Sequence, residues 1–160
     1  MKNDNNGSDS NLENKSEPLN DFDMAHLVPV SLNKRRVIIV DDDKDILESL
    51  GSILTQHPTL NCEPLLFTGG DELMEFLHKK PNLRIDLVLS DVRMENGDGL
   101  SLVPRFRRVF PKTPFYLMTG YSDIDEEDAK KLGATGLIKK PFTLSKIINT
   151  LLPSYPVKEP

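Results

Sequence analysis

The stretch DLVLSDVRMENGDGL, Asp86 to Leu100, decides how the rest of the chain reads. Its apolar residues Leu87, Val88, Leu89 and Val92 form a run too short for a helix and too apolar for a strand with one wet face, so the sequence predicts a strand buried on both faces. Asp91 stands at the carboxyl end of that strand. Glu95-Asn96-Gly97-Asp98-Gly99 then supplies a cluster of turn formers, and a new apolar period starts at Leu100. In an open parallel sheet the loops at the carboxyl ends of the strands form the ligand crevice, so an aspartate there is placed for chemistry.

The segments on either side repeat the pattern. Val37-Ile38-Ile39-Val40 reads as a β-branched buried strand that runs into Asp41-Asp42-Asp43. Ile46, Leu47, Leu50, Ile53 and Leu54 follow at helical spacing, with Asp43 as the expected cap and His57-Pro58 as the stop. Leu60 to Phe67 reads as a weaker strand broken by Pro64, and since proline cannot donate to a ladder, that strand belongs at a sheet edge. Gly69-Gly70 opens a helix carrying Leu73, Met74, Phe76 and Leu77, closed by Pro81.

After Asp91, a third helix is expected from about Asp98, its cap, to Val109, with a kink or a late start at Pro104. Phe115 to Met118 reads as the fourth strand, ending at Thr119-Gly120. An acidic fourth helix, with Asp123 as its expected cap, ends at Gly133. Gly136 to Lys139 is a short fifth strand leading to Lys140-Pro141-Phe142, and Thr143 caps a last helix that puts Leu144, Ile147, Ile148 and Leu151 on one face. Arg105, Arg107 and Arg108 read as a solvated helix face. Five alternations of strand and helix specify an α/β fold: a doubly wound, five-stranded parallel sheet of order 2-1-3-4-5 with helices on both faces.

Composition narrows the function. The chain has 160 residues, 38% of them hydrophobic, enough for one domain with a real core plus a tail. Residues 1–34 carry six acids, three lysines and few large apolar residues before Phe22, and read as a mostly disordered acidic tail; its more apolar piece, Met24 to Val30, holds His26, which carries no functional expectation on its own. The domain is expected over residues 35–153, with 154–160 as a short carboxyl tail. A net charge of -5 argues against direct nucleic-acid binding, which needs clustered Lys and Arg. No apolar run is long enough for a membrane span, no secretory pattern opens the chain, and the single Cys62 reads as a buried hydrophobe in a reducing compartment. A cytoplasmic location is the expectation.

The polar residues that end the apolar strands are Asp41 and Asp42 (first), Asp91 (third), Thr119 (fourth) and Lys140 (fifth). In the doubly wound order all these ends face one side, and the first and third strands meet at the switch point. Three carboxylates in one small pocket oppose joint ionisation and call for a cation or raised pKa values. Oxygen donors without His or Cys favour Mg²⁺. Lys140 adds a positive charge and Thr119 a hydroxyl, the groups a phosphoryl oxygen would meet beside a metal, and Asp91 is then the nucleophile that takes phosphate as an acyl phosphate.

In this combination the chain from about Arg35 to Leu152 resembles the receiver domain of response regulators, a flavodoxin-like fold, through VDDD, LSDVRM with NGDGL, LMTG and KKPF in order and at the family's spacing. The resemblance implies that Asp91 accepts a phosphoryl group from a histidine kinase or histidine phosphotransfer protein. It implies Mg²⁺ held directly by Asp42 and Asp91, with Asp41 acting through water and the backbone carbonyl of Arg93 completing the protein ligands. Thr119 and Lys140 would contact the phosphate, and the Lys140-Pro141 bond is often cis in the family. Two positions depart from it: Glu95 stands where proline is common, and Leu137 where the fifth strand often carries a Tyr or Phe that swings inward on activation.

A Walker-type reading of Asp41-Asp42 fails for want of any GxxxxGK[ST] loop. A haloacid dehalogenase-type phosphatase would use Asp41-x-Asp43 as nucleophile and acid, with Thr119 and Lys140 as further motifs, but it leaves Asp91 without a role and lacks an acidic motif after the lysine. A receiver fold kept only as a docking or phosphate-sink module is the other alternative. The expectation is a stand-alone, non-enzymatic receiver, at most catalysing its own phosphorylation and dephosphorylation, whose output is contact with an unknown protein partner.

Overall fold

The computed structural model describes residues 34–58, 60–120 and 124–151; the expectations for the 1–33 tail with His26, for Asp123 and for the segment after 151 lie outside them. Strands β1 (Arg35–Val40), β2 (Cys62–Phe67), β3 (Leu87–Asp91), β4 (Phe115–Thr119) and β5 (Gly136–Lys139) alternate with helices α1 (Lys44–Gln56), α2 (Gly70–Lys79), α3 (Gly99–Val109), α4 (Glu126–Lys131) and α5 (Leu144–Leu151). All strand pairs are parallel, and the sheet order is β2-β1-β3-β4-β5. This is the doubly wound order expected from the sequence. The β2 strand lies at the edge, where Pro64 needs no donor toward a further neighbour.

Two apolar layers follow from the alternation of side chains along each strand. Val37 and Ile39 of β1, with Leu87 and Leu89 of β3, face Leu47, Leu50 and Leu54 of α1 and Ile147 and Leu151 of α5. Ile38, Val40 and Val88 face the other way, into a layer with Leu73 and Leu77 of α2, Leu102, Val103 and Phe106 of α3 and Ala129 of α4. Because both faces are covered, the runs Val37 to Val40 of β1 and Leu87 to Leu89 of β3 are apolar without a break, which is why Asp41 and Asp91 stand out at the strand ends.

The helix starts are set locally. Asp43 caps α1, its side chain accepting from the Asp45 and Ile46 N–H groups at 2.9 and 3.4 Å, and Asp98 caps α3 by accepting from the Ser101 N–H at 2.8 Å. Thr143 Oγ1 accepts from the Lys146 N–H ahead of α5. The cap of α4 is Asp125, which accepts from the Asp128 N–H at 2.8 Å: the acidic run offers several carboxylates, and this one lies three residues ahead of a first-turn N–H. Gly133, at φ 103°, ends α4 in the left-handed region. The α3 helix starts at Gly99 and continues through Pro104, so the late start expected there does not occur.

Arg107 departs from the expected solvated face. Its guanidinium is half-buried and donates to the carbonyl oxygens of Gly133 (2.6 Å), Phe110 (3.2 Å) and Thr113, joining α3 to the loops that precede β4 and β5 and burying its charge enough to pull its pKa down. Arg105 is also engaged, 2.6 Å from Asp71 of α2.

Phe106 is fully buried, 4.9 Å from the Phe110 ring and 5.3 Å from the Phe115 ring. Its replacement by alanine is expected to lower unfolding free energy by about 3–5 kcal/mol, measured by urea denaturation. Cys62 is buried, and that burial pushes its thiol up to about 11. Iodoacetamide at pH 8 should leave the native thiol intact and modify it fully in denaturant. Since the folded thiol holds its proton more tightly than the unfolded one, this group's contribution to stability is complete below about pH 9 and is lost as pH rises toward 11.

Candidate functional site

Asp41 follows β1 and Asp91 ends β3; these strands are neighbours, so the chain delivers both carboxylates to one end of the sheet. Asp41 and Thr119 are 1% exposed and Asp91 is 8% exposed, whereas Asp42 faces solvent. One carboxylate oxygen from each of Asp41, Asp42 and Asp91 lies within 4.8 Å of the others. Thr119 ends β4, and its carbonyl oxygen accepts from the Lys140 N–H at 2.7 Å. Lys140 follows β5 and begins the cis Lys140-Pro141 peptide.

The lysine reaches across to both buried acids. Its Nζ lies 2.8 Å from Asp41 Oδ2 and 2.7 Å from Asp91 Oδ1. The other oxygen of each acid is held by backbone: Asp41 Oδ1 accepts from the Asp43 N–H at 3.0 Å, and Asp91 Oδ2 accepts from the Arg93 N–H at 3.0 Å. Each of these two carboxylates is thus fixed on one side by an amide two residues ahead and on the other by the same ammonium. Behind Asp91, α3 comes so close that a Cβ on Gly99 would sit 2.2 Å from the Asp91 carbonyl oxygen.

Burial dominates the electrostatics. It holds the Asp41 carboxyl above its ordinary range, outweighing the hydrogen bonds from Lys140 and Asp43. Burial also draws the Lys140 ammonium down, but the hydrogen bonds and charges of Asp41 and Asp91 overcome it and leave Lys140 above the ordinary lysine value. A cluster of three acids, two of them buried, with one base therefore favours a bound proton or a further cation. Its donors are oxygens alone, the chemistry that suits Mg²⁺, so the residues present fit such an ion.

The structure brings together Asp41, Asp42, Asp91 and Lys140, and sets Thr119 beside Lys140 through the backbone. A cleft of about 480 Å³ opens beside them, lined by Asp42, Arg93, Met94, Glu95, Asp98 and Ile124 among others, so Glu95 adds negative charge at its rim. Asp43 is spent on the α1 cap, which takes from it the acid role a dehalogenase-type phosphatase would require. Leu137 is half-buried on β5 and packs against the layer that includes Ala129 and Ala134. Among the described residues, no helix is long and apolar enough to cross a membrane.

Residues 37–152 match the family model described as the response regulator receiver domain. The chain is 34% identical over 110 residues to the transcriptional regulatory protein FixJ of Bradyrhizobium diazoefficiens, covering 68% of this chain and 51% of that protein. It is 35% identical over 111 residues to the DNA-binding transcriptional regulator NtrC of Klebsiella pneumoniae, covering 69% of this chain and 22% of that one. The chain thus spans about half the length of the first of these relatives and less than a quarter of the second. Among solved structures it is similar to the chemotaxis response regulator CheY4 of Vibrio cholerae (TM-score 0.65, 26% identity, 76% of this chain and 99% of that one). The beryllofluoride-activated NtrC4 receiver domain dimer gives a TM-score of 0.65 at 27% identity, over 75% of this chain and 95% of that one. With the family match running across all five strands, the chain belongs to the response regulator receiver domains of two-component signalling.

Proposed function

We propose that Asp91 accepts a phosphoryl group from the phosphohistidine of a histidine kinase or histidine phosphotransfer protein, and that the acyl phosphate changes the affinity of this domain for a protein partner. The observation that carries this reading is the Asp91 carboxylate at the crevice end of β3, with Lys140 Nζ 2.7 Å away and two further acids within 4.8 Å.

In the transfer, an Asp91 carboxylate oxygen attacks phosphorus, the phosphorus–nitrogen bond breaks, and the imidazole leaves with the nitrogen's electron pair. The Arg93 N–H, 3.0 Å from Oδ2, orients the nucleophile. Lys140, already beside Oδ1, supplies positive charge where phosphoryl oxygens would crowd the carboxylates, and the Thr119 hydroxyl is the proposed donor to one of those oxygens. Asp42, Asp91 and the Arg93 carbonyl would hold Mg²⁺, with Asp41 acting through water; the ion would offset charge on the phosphoryl oxygens and the acids.

The response is proposed to be a shift between two states of the segment after Thr119 and of the face built from α4, β5 and α5. Leu137 cannot make the aromatic swing common in the family, so this response is expected to be smaller. A cytoplasmic location goes with the proposed donor. The DNA-binding activity named for NtrC is that protein's; for this chain we propose a protein contact as the direct output, in keeping with its net charge of -5.

Asp91→Asn should abolish labelling by acetyl phosphate with Mg²⁺, read as acid-stable, base-labile phosphate by intact mass. Labelling that persists in Asp91→Asn would move the acceptor elsewhere. Lys140→Ala should still be labelled but lose the change in amide spectra that phosphorylation causes in the wild type. Without its ammonium the acidic trio should also cost the metal-free protein about 1–3 kcal/mol, measured by urea denaturation, with part recovered on adding Mg²⁺.

A further inference from the structure

The loop between β3 and α3 carries Arg93 near its start, and its outer part, Asn96-Gly97, rests on the first turn of α2. The Gly70 N–H donates to the Gly97 carbonyl at 3.0 Å, and the Asp71 N–H to the Asn96 carbonyl at 3.4 Å. The first N–H groups of a helix have no acceptor within it, and Gly69 at the α2 cap offers no side chain, so the loop carbonyls serve as the cap. Contact is closer than any side chain allows. A Cβ on Gly69 would stand 2.3 Å from the Asn96 oxygen, and one on Gly70 2.6 Å from the Gly97 oxygen. Gly97 has φ +82°, and a Cβ there would meet the Asp71 nitrogen at 2.9 Å.

The first turn of α2 is itself held firmly. Glu72 Oε2 accepts from the Thr68 N–H at 2.8 Å and from its hydroxyl at 2.9 Å, and Arg105 of α3 grips Asp71 at 2.6 Å. Inside the loop, Arg93 has its N–H on the Asp91 carboxylate, and Gly99 N–H donates to the Val92 carbonyl at 2.9 Å. The segment is therefore fastened at its root by Asp91 and at its tip by α2, with Glu95 where a proline would stiffen it.

We propose that Gly69, Gly70 and Gly97 are positioning residues for the metal site: by letting the α2 backbone grip the tip of the loop, they set where the Arg93 carbonyl stands. The inference rests on the preceding reading of Arg93 as a ligand. Coupling of this kind is reciprocal, so an ion at the carbonyl must tighten the grip as much as the grip favours the ion.

The test is Mg²⁺ titration of the full chain followed by amide NMR, comparing wild type, Gly70→Ala and Gly51→Ala. The Gly51 position is a control, since a Cβ there would meet only the Leu66 side chain at 3.4 Å. Gly70→Ala is expected to weaken Mg²⁺ binding roughly ten-fold or more, as loss of a supporting contact around a ligand does, while Gly51→Ala binds as wild type. In the unmutated protein, Mg²⁺ should slow hydrogen exchange at the Gly70 and Asp71 amides, a measurement that stands even if Gly70→Ala does not fold. Wild-type affinity in Gly70→Ala, or exchange at those two amides indifferent to Mg²⁺, overturns the inference alone. Failure of the wild type to bind Mg²⁺ would overturn the functional reading along with it.

Discussion

Three carboxylates held within 4.8 Å of one another repel, and the fold exists around the means of keeping them there. At that separation two unit charges cost about 3.5 kcal/mol for an effective dielectric constant of about 20, comparable with a large share of a small domain's stability. Lys140 is the side chain that offsets this cost between the buried pair, and it comes from beyond β5, at the far side of the sheet in sequence. The parallel order β2-β1-β3-β4-β5 makes the meeting possible: β1 and β3 lie side by side, and β5, beyond β4, ends at the same edge. The apolar layers on both faces then supply the stability against which the strain at that edge is set.

How the acids are held matters as much as where. Asp41 and Asp91 each place one oxygen on a backbone amide two residues ahead and the other on Lys140. Such a grip leaves little rotamer freedom, so under the proposed function the Asp91 carboxylate would be oriented before a phosphoryl donor arrives, with less reorganisation left for the transfer. Asp42 stays exposed and adjoins the cleft lined by Arg93, Met94 and Glu95. A buried pair with an exposed third acid suits the proposed uptake of an ion and a phosphoryl group from solvent.

What could be read from the chain beforehand was what depends on near neighbours or on burial along a strand. The uninterrupted apolar runs of β1 and β3 marked them as central, Pro64 marked β2 as an edge, and Asp43, Asp98 and Thr143 announced the starts of their helices because a cap acts within three residues. The clustering of Asp41, Asp42, Asp91 and Lys140 followed once the strand order was fixed. In the run from Asp123 to Asp128 several carboxylates satisfy the same local rule, and only the folded register selects Asp125. Arg107 looked solvated because the carbonyls it binds, at Phe110, Thr113 and Gly133, are brought together by tertiary structure. Gly69-Gly70 read as a helix opening; nothing local says that Asn96 and Gly97 will pack on it.

The absence of an aromatic residue on β5 changes how a disturbance at the site can travel. Thr119 and Lys140 are joined by the 2.7 Å hydrogen bond from the Lys140 N–H to the Thr119 carbonyl, so the ends of β4 and β5 cannot move independently without breaking it. Leu137, on the same strand, contacts the layer that holds Ala129 of α4 and Ala134 beyond it. Under the proposed function, a displacement imposed on Thr119 or Lys140 would pass first through backbone, then through close-packed aliphatic contacts, to α4. Packed interiors transmit small shifts but resist large ones, whereas a rotating ring can move from one face of a strand to another. With leucine at this position, the proposed response would keep the packed connection from β5 to α4 and lack the part that depends on an aromatic side chain changing sides.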